Sequence, residues 1–177
     1  MITYKKRTHT CGALRAQHAG QTVTLCGWID VRRDLGGVIF IDLRDRYGKT
    51  QIVFAPQHHE QTYEAAKVLR SEYVISVTGK VEKRPAGTGN PELPTGEIDV
   101  VITELTILNK AETPPFSIED KIEINEDTRL KWRYLDLRRA TMQRNLLERH
   151  RAYQITRSYY DRNNYVEIET PILMKST

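Results

Sequence analysis

Phe40 is the first residue in this sequence that points to a chemistry. In the run Val38-Ile39-Phe40-Ile41-Asp42-Leu43-Arg44, the alternation of a β-strand puts Ile39, Ile41 and Leu43 on one face. Val38, Phe40, Asp42 and Arg44 take the other face, so Phe40 is an aromatic on the polar side, where burial alone would not place it. Bases of single-stranded nucleic acid stack on such rings at about 1–3 kcal/mol per base. Gln51 stands beside Val53 on the outward side of the next strand pattern, and its amide can read a base edge. Arg32 and Arg33 close the preceding strand near the same rim, where they could meet phosphate. Glu97 and Asp99 share a face opposite Ile98, Val100 and Ile102; on a nucleic-acid surface they would accept hydrogen bonds from base amino groups. The plainer alternatives are a ring covered by a neighbouring segment and carboxylates on a solvated face.

Other chemistries find little support. Cys11 and Cys26 are the only cysteines and form no Cys-x-x-Cys pair; Cys26, inside Thr24-Leu25-Cys26-Gly27-Trp28, reads as a small buried hydrophobe. His58-His59 falls in a polar turn without a matching ligand cluster, so no metal site is expected. No Gly-x-Gly-x-x-Gly follows a strand and no Walker A loop is present; Gly87-Thr88-Gly89, between Pro85 and Pro91, reads as a loop. A 39% hydrophobic and 28% charged composition excludes a disordered chain. No stretch approaches the roughly 20 apolar residues of a membrane span. No apolar run follows the basic start Met1 to Arg7, so no signal peptide and a cytoplasmic location are expected. The net charge of +4 is unevenly spread: residues 112–127 hold six acids and one lysine, residues 129–162 ten Lys and Arg against three acids. The second run reads as a solvated helix face or as a footprint for phosphate.

The elements that must position these residues are short strands. Thr22 to Arg33 alternates Val23, Leu25, Ile29 and Val31 inward, with Gly27 where a small barrel must bend. Asp34-Leu35-Gly36-Gly37 turns into Val38 to Arg46, and Tyr47-Gly48-Lys49 into Thr50 to Phe54. Gln57 to Leu69 has helical spacing, Val74 to Lys83 alternates again, and a Pro/Gly-rich loop from Arg84 to Gly96 leads to Glu97 to Leu108. Three strands, a helix and two strands is the order of the all-β OB-fold, a five-stranded barrel that binds oligonucleotides. Residues 111–128, broken by Thr113-Pro114-Pro115, read as a hinge. From Thr128 the pattern is helical, with a stripe of Met142, Leu146, Tyr153 and Tyr160, ending near Asn163-Asn164. Tyr165 to Glu169 then alternates as a strand up to Thr170-Pro171.

Three stretches carry a specific resemblance. Cys11-Gly12-x-Leu14-Arg15, with Gly27-Trp28-Ile29-x-x-Arg32-Arg33-Asp34-Leu35-Gly36-Gly37-x-Ile39-Phe40-Ile41-Asp42-Leu43-Arg44-Asp45, resembles the anticodon-binding domain of bacterial-type aspartyl-tRNA synthetases. Arg129-Leu130-Lys131-x-Arg133-Tyr134-Leu135-Asp136-Leu137-Arg138-Arg139 is similar to the segment leading into their catalytic domain, and Tyr165 to Leu173 to class II motif 1. The resemblance implies an OB-fold domain over residues 1–110, a hinge over 111–128, and over 129–177 the first helix and strand of a class II α+β catalytic domain. By position it implies that Phe40 stacks on the middle anticodon base, Gln51 hydrogen-bonds that base and Arg33 contacts the anticodon loop. Asp99 falls where the family commonly has a glutamate reading the flanking bases, and Arg84 near another contact. Leu35 matches the residue usual in forms that charge only tRNA-Asp, a histidine being common where tRNA-Asn is charged as well. Tyr165, Val166, Ile168 and Pro171 would lie at the parent's homodimer interface. Motifs 2 and 3 would follow Thr177, so no catalytic residue and no cofactor is expected within these residues; the parent would use ATP and magnesium. The implied partner is the anticodon loop of tRNA-Asp, with no membrane and no DNA. A lysine- or asparagine-type class IIb enzyme, or a free-standing OB module for single strands, are the competing readings.

Overall fold

The computed structural model describes residues 5–173 and 175. Residues 1–4, part of the stretch read for a leader, lie outside them. The chain divides into two compact units, Met1–Pro115 and Phe116–Thr177.

In the first unit β1 (Thr22–Leu35), β2 (Val38–Asp45), β3 (Gly48–Phe54), β4 (Val74–Lys83) and β5 (Ile98–Asn109) close a barrel in the order β1-β2-β3-β5-β4. Only β3 and β5 pair in parallel, through Ile52 and Val53 against Val100 and Val101. With α1 (Glu60–Ala66) between β3 and β4, this is the expected OB-fold. The interior holds most of the inward set read from the alternation: Leu25, Ile29, Ile39, Ile41, Leu43, Ile98 and Val100 are fully buried, together with Ile52, Phe54 and Ile75. Each such aliphatic side chain contributes about 1.5–3 kcal/mol by leaving water. The helix is shorter than the spacing over 57–69 suggests. Seven residues cannot hold a helix in water. Ala66 and, just beyond the helix, Leu69 are buried in the core, and the His59 ring accepts the Thr62 N–H at 3.3 Å as an N-cap. His59 is thus a capping residue.

Gly36 (φ 60°) and Gly37 (φ 82°) both take left-handed backbone, the geometry of a two-residue hairpin whose twist suits the flanking strands. Cys26 differs from expectation: it is only half-buried, its Sγ 3.5 Å from Ser76 Oγ, because it lies on the outer side of β1. Cys11 is the fully buried thiol, and burial together with the nearby Asp45 carboxylate pushes its pKa up, so it is inert.

The second unit holds α2 (Glu126–Lys131), α3 (Arg133–Asp136) and α4 (Ala140–Arg162). Its organising residue is Asp136, whose side chain has no exposed surface. Arg129 donates to it at 3.1 and 3.3 Å, Arg139 at 3.1 Å, and Arg133 closes a third ion pair. Burial alone would raise this carboxyl; the hydrogen bonds from Arg129 and Arg139 and the charges of Arg129 and Arg133 outweigh it and hold it below the usual carboxylate range. Arg139 also reaches the Glu119 and Asp120 carbonyls at 2.9 and 3.1 Å, while the Asp120 carboxylate accepts the Thr141 N–H at the start of α4. Much of the basic run is therefore committed to carboxylates within the unit, with Arg151 on Glu148 and Arg157 on Glu167 as further pairs.

The helix ends where Asn was expected to end it. Asn164 takes φ 63°, its N–H bonds the Asp161 carbonyl, and the Tyr165 N–H bonds that of Tyr160. With the Tyr160 and Tyr165 rings edge-to-face at 5.6 Å, this is a complete Schellman cap. The strand expected over Tyr165–Glu169 is not formed: the alternation is present, but no described strand of this unit offers its backbone a ladder. Leu146, Tyr153 and Tyr160 of the expected stripe remain about half exposed.

Candidate nucleic-acid interface

The site is built on the outer face of β1, β2 and β3, and a β-bulge decides which residues reach it. From Thr22 to Trp28, β1 pairs with β4, and its odd-numbered residues Val23 and Leu25, with Ile29 just beyond, point into the core. From the hairpin end the register is set by Gly36-Gly37, giving Leu35 opposite Val38, Arg33 opposite Phe40 and Val31 opposite Asp42. The two registers are out of phase by one residue, and the mismatch is absorbed between Ile29 and Val31. Beyond the bulge the odd positions therefore face outward. Val31, expected inside, is 42% exposed, and Arg33 joins Phe40, Asp42 and Gln51 on one surface.

On that surface the predicted residues form a connected chain. Arg33 Nη2 donates to Asp42 Oδ1 at 2.8 Å and to Gln51 Oε1 at 3.1 Å. Gln51 Nε2 donates to Asp99 Oδ1 at 2.9 Å, and Arg84 Nε donates to the same oxygen at 2.8 Å. The orientation of the Gln51 amide follows from its neighbours, since an arginine only donates and an ionised carboxylate only accepts. Phe40 lies beside this chain, partly exposed, between Arg33 on β1 and Val53 on β3. Burial raises the Asp99 carboxyl above its ordinary value, opposed by the charge and hydrogen bond of Arg84 and by the Gln51 amide. Glu97, just before β5, is exposed and lines a shallow pocket with Lys83, Arg84, Pro85 and Gly87.

Arg33, Phe40, Gln51, Asp99 and Arg84 are thus brought together. Tyr165, Val166, Ile168 and Pro171 belong to the other unit, in an exposed segment after α4. Asp42 completes the chain; alternation had placed it outward without giving it a task. Arg44, read as part of the open face, is instead buried among Asp30 and Glu72, with Nε 3.0 Å and Nη2 2.6 Å from their carboxylates. No local signal in the sequence marks that cluster, because Glu72 comes from the α1–β4 connection. Among the described residues there is no group of three or more His, Cys, Asp or Glu that could hold a metal ion, and no described helix is long and apolar enough to cross a membrane.

Such a surface can hold a flat ring against Phe40 while fixed donors and acceptors question its edge. Residues 23–108 match the family described as OB-fold nucleic acid binding domain, and residues 125–177 the class II tRNA synthetases (D, K and N). The whole chain is 55% identical to the aspartate–tRNA(Asp/Asn) ligase of Heliobacterium modesticaldum, and 97% of it is 56% identical to that of Halothermothrix orenii. It spans 29% of the length of each. In fold it is similar to a putative aspartyl-tRNA synthetase of Leishmania major (TM-score 0.83, 21% identity, 98% of this chain and 37% of that one). It is likewise similar to the asparaginyl-tRNA synthetase of Pyrococcus horikoshii (TM-score 0.79, 24% identity, 94% and 38%).

Proposed function

We propose that the barrel reads the anticodon loop of tRNA-Asp; the similarity of the chain to aspartate–tRNA ligases, and the order of a nucleic-acid-binding OB-fold match followed by a class II synthetase match, support this reading. The observation that carries this reading is the juxtaposition of Phe40 with the Arg33–Gln51–Asp99–Arg84 chain on one barrel face. One base stacks on Phe40 while the Gln51 amide, oriented by Arg33 and Asp99, hydrogen-bonds its edge. Arg33, the more exposed of the two arginines, contacts the loop backbone. Asp99 and Glu97 accept from base amino groups at a flanking position.

The whole protein would then attach aspartate to tRNA in protein synthesis, as a homodimer in the cytoplasm, using ATP and magnesium. No step of that chemistry is assigned to the residues described here. Tyr165, Val166, Ile168 and Pro171 would lie at the dimer interface.

The test is binding of anticodon stem-loops of the aspartate, asparagine and lysine types to this chain. The aspartate loop should bind clearly better than the lysine loop. Equal affinity for all three would favour an unspecific single-strand module, and a preference for the lysine loop a lysine-type enzyme. Comparable binding of the aspartate and asparagine loops would show that Leu35 at the hairpin does not exclude tRNA-Asn, in line with the double specificity in the relatives' names.

A further inference from the structure

Next to the bulge that turns Arg33 outward lies a group of side chains outside the Arg33–Gln51–Asp99–Arg84 chain. Two fixed registers meet on β1: the β4 pairing and the core fix residues up to Ile29, and the two-glycine hairpin fixes residues from Leu35 back to Val31. The surplus residue could lie at any position between them. Were it displaced toward the turn past Arg33, the core-side parity would extend to that residue. Arg33 would then turn inward and Arg32 outward, since a one-residue shift exchanges the faces of a strand.

What holds it at Asp30 is visible. The Asp30 carboxylate receives Arg44 Nε at 3.0 Å and pairs with Lys49. Arg44 Nη2 reaches Glu72 at 2.6 Å. The carbonyls at the bulge are also engaged: Ile29 O accepts the Glu72 N–H at 2.7 Å, and Asp30 O the Ser71 hydroxyl at 3.3 Å. Glu72 has left-handed backbone (φ 66°), a conformation costly for a residue with a side chain, and in it both its N–H and its carboxylate face this cluster.

We propose that Asp30, Arg44 and Glu72 are positioning residues for nucleic-acid binding, pinning the bulge so that Arg33, and not Arg32, stands beside Phe40 and Gln51. This rests on the anticodon-reading proposal, which the same experiment tests separately. Asp30→Ala removes the carboxylate on the bulge while leaving Arg44 paired with Glu72 and Lys49 free to reach water, so no buried charge is stranded. Binding of the aspartate-type anticodon stem-loop is measured for the chain, Asp30→Ala, Arg33→Ala and the double variant, with Phe40→Ala and its Asp30→Ala combination as the reference pair.

Arg33→Ala should weaken binding about tenfold in the parent, as expected for a lost charged contact, and by less than about threefold once Asp30 is Ala. The Phe40→Ala loss should be the same in both backgrounds. A null effect of Arg33→Ala in the parent overturns the anticodon reading of Arg33 itself. A tenfold loss in both backgrounds leaves that reading intact and overturns the positioning role. Should Asp30→Ala fail to fold, Asp30→Asn serves in its place, and Arg44→Lys, which keeps the charge, should restore most of the coupling that Arg44→Met removes. Equal coupling in the Lys and Met variants also overturns the proposal.

Discussion

Replacing Arg84 by Met separates charge from packing at the far end of the polar chain. The Arg84 side chain is 9% exposed and that of Asp99 18%, so their 2.8 Å hydrogen bond is largely out of water. A hydrogen bond to a charged group contributes about 1.5–3 kcal/mol. Met keeps the apolar stem of Arg, and Gln51 Nε2 still donates to Asp99, so the low end of that range, about 1.5 kcal/mol of barrel stability near neutral pH, is expected. The pH dependence carries the sharper test. In the parent, burial already holds the Asp99 carboxyl above its ordinary value against the pull of Arg84; without Arg84 it must rise further. A carboxyl raised in the folded state binds its proton more tightly there than in the unfolded chain. The penalty is therefore present above the folded-state pKa and is relieved as the pH falls through it. The difference between Arg84→Met and the parent should be largest at neutral pH and shrink on acidification. Urea unfolding followed at Trp28, with Trp132 changed to Phe so that only the barrel reports, measures it. In an Asp99→Asn background the Arg84→Met cost should nearly vanish. A loss that does not shrink on acidification, and is equally large in the Asp99→Asn background, would show that Arg84 acts by packing alone.

Phe40→Ala should cost about 1–3 kcal/mol of stem-loop affinity through lost stacking; a variant that stays folded by circular dichroism and binds like the parent would make the ring structural. Asp136→Asn should loosen the second unit, because Arg129, Arg133 and Arg139 would crowd a neutral amide, at a cost of about 3 kcal/mol or more. Proteolysis within residues 116–140 should accelerate while the barrel stays resistant, and unchanged digestion of that stretch would refute the central role of Asp136.

Much of the barrel was legible in the sequence because its signals are local. Val74 to Lys83 alternates cleanly and forms a strand with those same bounds, and Gly36-Gly37 announces its own turn. The outward placement of Phe40, Gln51 and Asp99 follows from counting by twos along strands free of bulges at those positions. Counting failed on β1, where Val31 was placed inside. A bulge arises from two distant pairings that disagree, and no residue near Asp30 records the disagreement. The same limit hid Arg44: its partners Asp30 and Glu72 are 14 and 28 positions away. In the second unit, the spacing of basic residues suggested a phosphate footprint, but it could not show that one buried aspartate draws three of them inward.

The acceptors and donors along Asp42, Arg33, Gln51, Asp99 and Arg84 are already engaged with one another before any base arrives. On the proposed reading, recognition on this face is therefore a trade of partners. A base whose edge replaces the surrendered bonds one for one gains little beyond its stacking, so the fit of the correct nucleotide is modest in strength. A base of the wrong pattern must part the same contacts and leave a half-buried carboxylate or amide without a substitute, a loss of about 1–3 kcal/mol for each such group. A surface so arranged discriminates more sharply than it holds, and it lets go readily. Both properties suit the proposed reading, in which one anticodon loop is told from many similar RNAs and then released.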